Sequence, residues 1–350
     1  IEIETDSYDW LILVGSEPFK NFTRKTSITE YNGKIVDDKF LALINPAMIK
    51  FKPEAKKAFE EAVESITGYV SGELTQKSLG DDKCFGIEDT ATLHRYLKDA
   101  LEYPLDYIAL DSETSSLYPR NGYMLGFSMS YKKEHGVYVD CECIDGTAEL
   151  LMQDIFNKKR VVFHNSKFDL QWFEYHFNFE FPNFEDTMLM HYMFDENPGT
   201  HGLKTLAIKH TDYGDYEAEL DNWKAAYIKR TGILKGDFSY DLIPFDILSK
   251  YAAIDTAVTY DLYQLFVKKI ISSVQLTKVY KELMVPGMLF LKEVEEAGVP
   301  FDLNRLLKVQ KLMETEIQIA KEKLYEFEEV HKFEEAQGKV FNPNSTQQLR

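Results

Sequence analysis

The chain has 350 residues, 44% of them hydrophobic and 14% aromatic, with 58 acidic against 40 basic side chains for a formal charge of −18. Such a length and balance suit two or three globular domains and exclude a disordered chain, and no apolar run approaches the ~18 residues that would cross a bilayer, so a soluble chain with no membrane partner is expected. The acidity argues against a long electrostatic footprint on duplex DNA, but not against a protein that grips a few nucleotides and recruits divalent cations.

The chain opens on Ile1 rather than Met, which reads as a fragment. YDWLILVGSEPF, at 8–19, reads as a buried strand and a turn: either the wall of a nucleotide pocket or an ordinary strand end of an α/β domain. FKPEAKKAFEEAVESI follows as an amphipathic stretch, then the polar passage SGELTQKSLGDDK at 71–83. A boundary is expected there, near residue 82, leaving 1–82 as an N-terminal α/β region.

Residues 83–275 read as mixed α/β. The strand CFGI precedes a helix capped by Asp89, and the strand YIALD follows. YMLGFSMSY and GVYVDCE form a hairpin through KKEHG, and the helix AELLMQDIF leads to the strand RVVFHN. Beyond it SKFDLQWFEYHF, EDTMLMHYMF, HGLKTLAIKH and the long PFDILSKYAAIDTAVTYDLYQLFVKKI are all helical in pattern. Cys141 and Cys143 make a CxC on a strand with no second Cys/His pair to complete a zinc site, and with Cys84 they are too few for a disulfide framework. Lys158, Lys159 and Arg160 read as a solvated helix end. Residues 276–350 read as purely helical: VYKELMVPGMLFLKEVEEAG, interrupted by Pro286 and stopped by Gly298, then a helix capped by Asp302 and running from Leu303 to about Val330.

The chemistry lies in carboxylates. Strand alternation points Asp111 and Glu113 to one side, although a lone DxE in so acidic a chain also reads as a solvated strand end. FHNSKFD places Asn165 and Asp169 just after an apolar strand, and YAAID places Tyr251 and Asp255 at i, i+4 on an otherwise apolar helix. A sheltered carboxylate needs a cation or a hydrogen-bond partner. Hard oxygen donors without His or Cys suit Mg²⁺ or Mn²⁺, and two such ions about 4 Å apart form the clamp used for in-line displacement at phosphorus. A phenol with a pKa of about 10 is a poor base, so Tyr251 is expected to orient the attacking water.

Taken in order, Asp111-x-Glu113, Asn165-x-x-x-Asp169 and Tyr251-x-x-x-Asp255 resemble the three motifs of DEDD proofreading exonucleases of the tyrosine subtype, over about residues 86–270. Their details are similar to the exonuclease domain of family A (Pol I-like) DNA polymerases. The resemblance implies a ribonuclease H-like (DnaQ-like) α/β fold, a mixed sheet flanked by helices. It also implies two divalent ions, Mg²⁺ or Mn²⁺, held by Asp111, Glu113, Asp169 and Asp255, with Glu113 and Tyr251 serving catalysis. The substrate it implies is the single-stranded 3′ end of DNA, cut to nucleoside 5′-monophosphates. Leu117 falls where the family wedges a leucine against the terminal base, or is an ordinary core leucine; His201 falls near the family's contacts to single-stranded DNA, or is a helix-start polar residue. Asn165 and Phe168, the latter by stacking, complete the candidate DNA contacts.

A rival reading takes His164-x4-Asp169 as the third motif of the histidine subtype. It finds no second motif among Asp140, Asp145 and Asp154 and leaves YAAID unexplained, so His164 reads as a strand-end residue or site neighbour. EVEEAGVPFDLNRL and FNPNSTQQLR resemble the start of the family's thumb, and neither palm carboxylates nor a fingers helix follows, so DNA synthesis is not expected of this chain. With DWLILVGSEPF, THGLK and YDLIPFDI, the combination is most similar to polymerases of T-five-like tailed phages, which implies work in the cytoplasm of a bacterial host beside palm and fingers domains. An RNA-processing exonuclease of the ribonuclease D type and an inactive nucleic-acid-binding module on the same fold stand as alternatives.

Overall fold

Two sheets organise the first 293 residues of the computed structural model, which describes residues 5–37, 39–53, 55–73, 79–80 and 82–349. The polar passage expected to carry a boundary falls partly outside the described residues, at 74–78 and 81. By compactness the chain divides after Glu293, whereas the sequence placed divisions near 82 and 275.

The smaller sheet has strands β1 (Leu11–Val14), β2 (Ile35–Val36) and β3 (Phe40–Leu43) in the order β1-β3-β2. Helix α1 (Ser16–Thr23) starts directly after Gly15, so SEPF is the first turn of a helix rather than a loop. Its Phe19 is fully buried beside Leu13, Ile28 and Ile44, a packing role rather than a pocket wall. Helices α2 (Met48–Phe51) and α3 (Ala55–Ser71) follow. This core also takes in Ile208, from a helix far along the chain.

The larger sheet runs β4-β7-β6-β5-β8-β9, from β4 (Cys84–Ile87), β5 (Tyr107–Thr114), β6 (Met124–Ser130), β7 (Gly136–Asp140), β8 (Arg160–Phe163) and β9 (Phe184–Asp186). Strands β5 to β7 form an antiparallel meander, while β4 joins β7, β8 joins β5 and β9 joins β8 in parallel. This is the mixed, helix-flanked sheet that the sequence reading expects. One face packs Ile108, Leu110, Phe127 and Val161 against α4 (Thr90–Glu102), α5 (Gly146–Lys158) and α6 (Ser166–Phe177). Asp89 caps α4 by accepting from the Thr92 amide. The other side carries α7 (Thr187–Tyr192), α8 (Leu203–His210), α9 (Ala218–Thr231) and the 27-residue α10 (Phe245–Ile271).

Helix α10 lies close because two strand residues have no side chain. A Cβ on Gly136 would sit 1.9 Å from the Ala253 carbonyl oxygen, and one on Gly86 would meet the Phe245 ring at 2.4 Å. The first obstacle is backbone and cannot rotate away. Gly136→Ala is therefore expected to lift α10 and cost about 1–3 kcal/mol in denaturant unfolding, the usual overpacking penalty, whereas Gly146→Ala, with open space around it, is expected to be neutral.

Several local expectations change. The short strand β9 replaces the start of a helix read at EDTMLMHYMF, because Asp186 caps α7 and holds the preceding residues extended. Cys141 and Cys143 lie on a 3₁₀ turn rather than a strand. Lys159 is not solvated: its ammonium is buried and donates to the carbonyls of Tyr103 and Leu105, and Arg160 donates to the Tyr263 hydroxyl. After α11 (Val274–Val279), Pro286 lacks the N–H that would bond Glu282, and the helix widens into a π turn at Tyr280–Met284 before α12 (Val285–Ala297). The long helix expected to reach Val330 is two, α13 (Leu303–Leu324) and α14 (Glu328–Gln337). No described helix is long and apolar enough to cross a membrane.

Candidate active site

Strand β5 delivers Asp111 and Glu113 to the side where α10 crosses, and α10 delivers Asp255 to meet them. One carboxylate oxygen from each of these three residues lies within 4.8 Å of the others. Glu113 and Asp255 are buried and Asp111 is half-buried. Burial first, and then the neighbouring carboxylates, push all three well above the ordinary carboxylate range.

Asp169 arrives from the opposite layer and is engaged differently. Strand β8 pairs with β5 only as far as Ala109, so the edge of β5 beyond it is open. Asp169, in the first turn of α6, takes that edge: its Oδ1 accepts from the Ser112 amide at 2.9 Å and from the Ser112 hydroxyl at 2.7 Å. Burial still pushes its carboxyl up to about 7, with the Ser112 bonds acting against the rise. The structure therefore brings three of the four expected carboxylates into one tight group and sets the fourth alongside, tied to the intervening strand residue.

Asp186 fixes the start of α6. Its carboxylate accepts from the Ser166 amide and hydroxyl, both at 2.7 Å, and from the amides of Met188 and Leu189 at 2.8 and 3.0 Å, clasping two helix N-termini. Asn165 enters α6 with a left-handed backbone, φ 74°, and makes no cap bond of its own.

Asp111, Glu113, Asp169 and Asp255 line a cavity of about 810 Å³ that also holds Leu117, Asn165, Phe168, Tyr251, His164, Glu217 and Tyr240. Leu117 is 73% exposed, so the core-leucine alternative does not describe it. Phe168 is half-buried against Trp172. His201 does not reach the cavity: its Nδ1 faces Nδ1 of His191 at 2.9 Å, and its carbonyl meets Nε2 of His164. His164 has both ring nitrogens engaged, the other by the Thr187 hydroxyl at 2.8 Å, and burial lowers its pKa. A histidine so held is poorly placed to take a proton from water.

Two tyrosines reach Asp255. Tyr251, one helical turn earlier, hydrogen-bonds it, and burial with the nearby Asp255 and Glu113 charges pushes the phenol well above its usual value. The hydroxyl of Tyr216 donates to Asp255 Oδ1, with its ring stacked near Tyr251 at 6.4 Å between centroids. Sequence reasoning missed Tyr216, Glu217 and Ser112. Ser112 sits inside DSE and alternation alone turns it towards α6; the loop TDYGDYE holding Tyr216 and Glu217 offers no periodic signal.

The donor set fits divalent cations: it is all oxygen, anionic and crowded enough that its charges repel one another. A family model described as 3′–5′ exonuclease matches residues 84–271. The DNA polymerase of Escherichia phage T5 is 42% identical over 359 residues, covering 99% of this chain and 42% of that protein. The DNA polymerase of Bacillus phage SP01 is 25% identical over 367 residues, covering 94% of this chain and 38% of its own length. Among solved structures, Escherichia coli RNase D is 15% identical with a TM-score of 0.44, covering 60% of this chain and 50% of that one. The chain thus spans about two-fifths of the length of the two phage polymerases it matches.

Proposed function

Since the chain belongs to the 3′–5′ exonuclease family of family A DNA polymerases, we propose that it is the proofreading part of a phage replicative DNA polymerase, removing nucleotides from a single-stranded 3′ end as 5′-monophosphates. What carries the reading is the group of three carboxylate oxygens within 4.8 Å at the foot of a cavity with Tyr251 beside it. Asp111, Glu113, Asp169 and Asp255 would hold two divalent ions, Mg²⁺ or Mn²⁺. When bound, such ions supply a water acidified towards neutrality and offset the charge on the departing oxygen.

The chain's own residues do the rest. Tyr251 stays a neutral phenol, so its hydroxyl orients the water without removing its proton. Glu113, buried beside it, accepts from that water. Exposed Leu117 stands where it can separate the last base from its neighbour, and Phe168 offers a face for stacking. Asn165, on its left-handed turn, lines the same wall. Palm and fingers domains of the longer polymerase are the expected partners, in the host bacterial cytoplasm.

The test is degradation of a 5′-labelled single strand with Mg²⁺ or Mn²⁺ and with chelator. A ladder shortening from the 3′ end only with metal supports the reading, and cleavage in chelator, or none under any divalent ion, overturns it. Matched RNA and DNA strands separate it from an RNA-processing enzyme. Tyr251→Phe is expected to lower kcat roughly 10- to 100-fold while leaving the shape of the pH–rate profile intact, because the phenol does not titrate in the working range; initial rates across pH check this.

A further inference from the structure

The loop joining α8 to α9, TDYGDYE at 211–217, is tied down through Tyr213, Asp215 and Tyr216 among others. Tyr213 donates its hydroxyl to Asp261 Oδ2 on α10 at 2.6 Å. Asp215, almost wholly buried, receives Lys25 and the Tyr31 hydroxyl (3.1 Å) on Oδ2, and Lys204 at 3.1 Å on Oδ1. Tyr216, the next residue, places its hydroxyl on Asp255. Lys25 and Tyr31 belong to the N-terminal region, whose hydrophobic core also holds Ile208 of α8. The smaller sheet region thus grips both ends of a short segment, Ile208 and Asp215, that leads straight to a site carboxylate.

We propose that Tyr216 is a positioning residue of the exonuclease site, holding the Asp255 carboxylate by its hydroxyl, and that the N-terminal region keeps Tyr216 in place through Lys25 and Tyr31 on Asp215. The inference rests on the exonuclease reading above. Asp255 shares a sheltered group with Asp111 and Glu113, and repulsion would swing its carboxylate away unless a donor opposes it. A phenol suits this role. It stabilises one oxygen without carrying a positive charge that would compete with a cation for the others. The irregular loop would not hold a tyrosine to that geometry by itself, because an ordered loop without anchors costs conformational entropy. Lys204 completes the frame by reaching Glu217 at 3.5 Å and Asp221 at 2.8 Å. The N-terminal region thereby buttresses the nuclease.

The full chain tests this with three measurements: kcat and KM on a 5′-labelled single strand, calorimetric Mn²⁺ titration without DNA, and hydrogen exchange of amides 213–217 in chelator. Tyr216→Phe should lower both kcat and Mn²⁺ affinity by roughly 10-fold with KM for DNA unchanged. Lys25→Met, which removes the ion pair to Asp215, should shift both in the same direction by less and speed exchange at 213–217. Lys25→Arg should restore all three readouts. A Tyr216→Phe protein with wild-type kcat and Mn²⁺ affinity overturns the positioning role; Lys25→Met with unchanged exchange overturns the link to the N-terminal region. A wild-type chain without metal-dependent nuclease activity overturns the exonuclease reading itself, an outcome distinct from an active wild type matched by its variants.

Discussion

Replacing Asp111 and Glu113 together by alanine is expected to lower the exonuclease rate by about 10³-fold or more in either Mg²⁺ or Mn²⁺. Charge stabilisation by a metal clamp is worth several kcal/mol of barrier, and each ~1.4 kcal/mol is tenfold in rate. The pair supplies two of the three carboxylate oxygens that converge within 4.8 Å, leaving Asp255 alone in that group. The fold should survive. The lost carboxylates repel each other and Asp255, so their removal relieves strain, and the strand they stand on is held through its backbone to β6. Asp154→Ala is the matched control, since that acid is half-exposed on α5 and pairs with Lys158 one turn later at 2.7 Å. It should leave the rate unchanged. A double variant keeping a tenth of wild-type activity, in a protein with native circular dichroism, would remove these residues from the proposed centre.

The parts of the centre legible in the sequence are those whose geometry is local. Alternation on a strand puts Asp111 and Glu113 on one side, and a single helical turn stacks Tyr251 over Asp255. What alternation could not give is that Asp169 would be shared with Ser112. That contact exists because β8 stops at the level of Ala109 and leaves an unpaired amide on β5. Tyr216 was invisible for a similar reason: its role depends on Lys25 and Asp215, 190 positions apart, meeting across two regions. Lys159 looked like part of a solvated basic cluster, yet it serves two carbonyls at the end of the α4–β5 connection. The long C-terminal helix broke without Gly or Pro at the break. There His331 Nε2 meets the Tyr325 carbonyl at 2.7 Å and the Tyr325 hydroxyl donates to Glu334 at 2.7 Å, side-chain bonds that replace the helical pattern. Patterns of period two and 3.6 carry elements; partners distant in sequence decide where elements stop.

In chelator, the four site carboxyls are expected to withdraw stability from the fold as pH rises from about 5 to about 8, and Mg²⁺ or Mn²⁺ to restore it. The sign follows from the direction of the shifts. Unfolded carboxyls titrate near about 4, whereas burial and mutual repulsion push Asp111, Glu113 and Asp255 well above their ordinary values, and burial pushes Asp169 up to about 7. Between those limits these four carboxyls bind more protons in the folded chain than in the unfolded one, so their contribution to stability falls with pH. Below about pH 4 both states are protonated and the penalty vanishes; for Asp169 it is complete above about 7. A divalent cation offsets the same repulsion, so the rise in melting temperature on adding it should be largest at the high end and small at the low end. Glu113→Gln isolates the effect from the chain's other acids, because it removes one charge from the group and keeps the shape. In chelator its melting curve should fall less steeply with pH than the wild type and lie several degrees higher near pH 8, in a protein that has lost its nuclease activity. Equal pH slopes for the two proteins, or an equal gain from metal at both ends of the range, would show that these carboxylates do not form a repulsive group in solution.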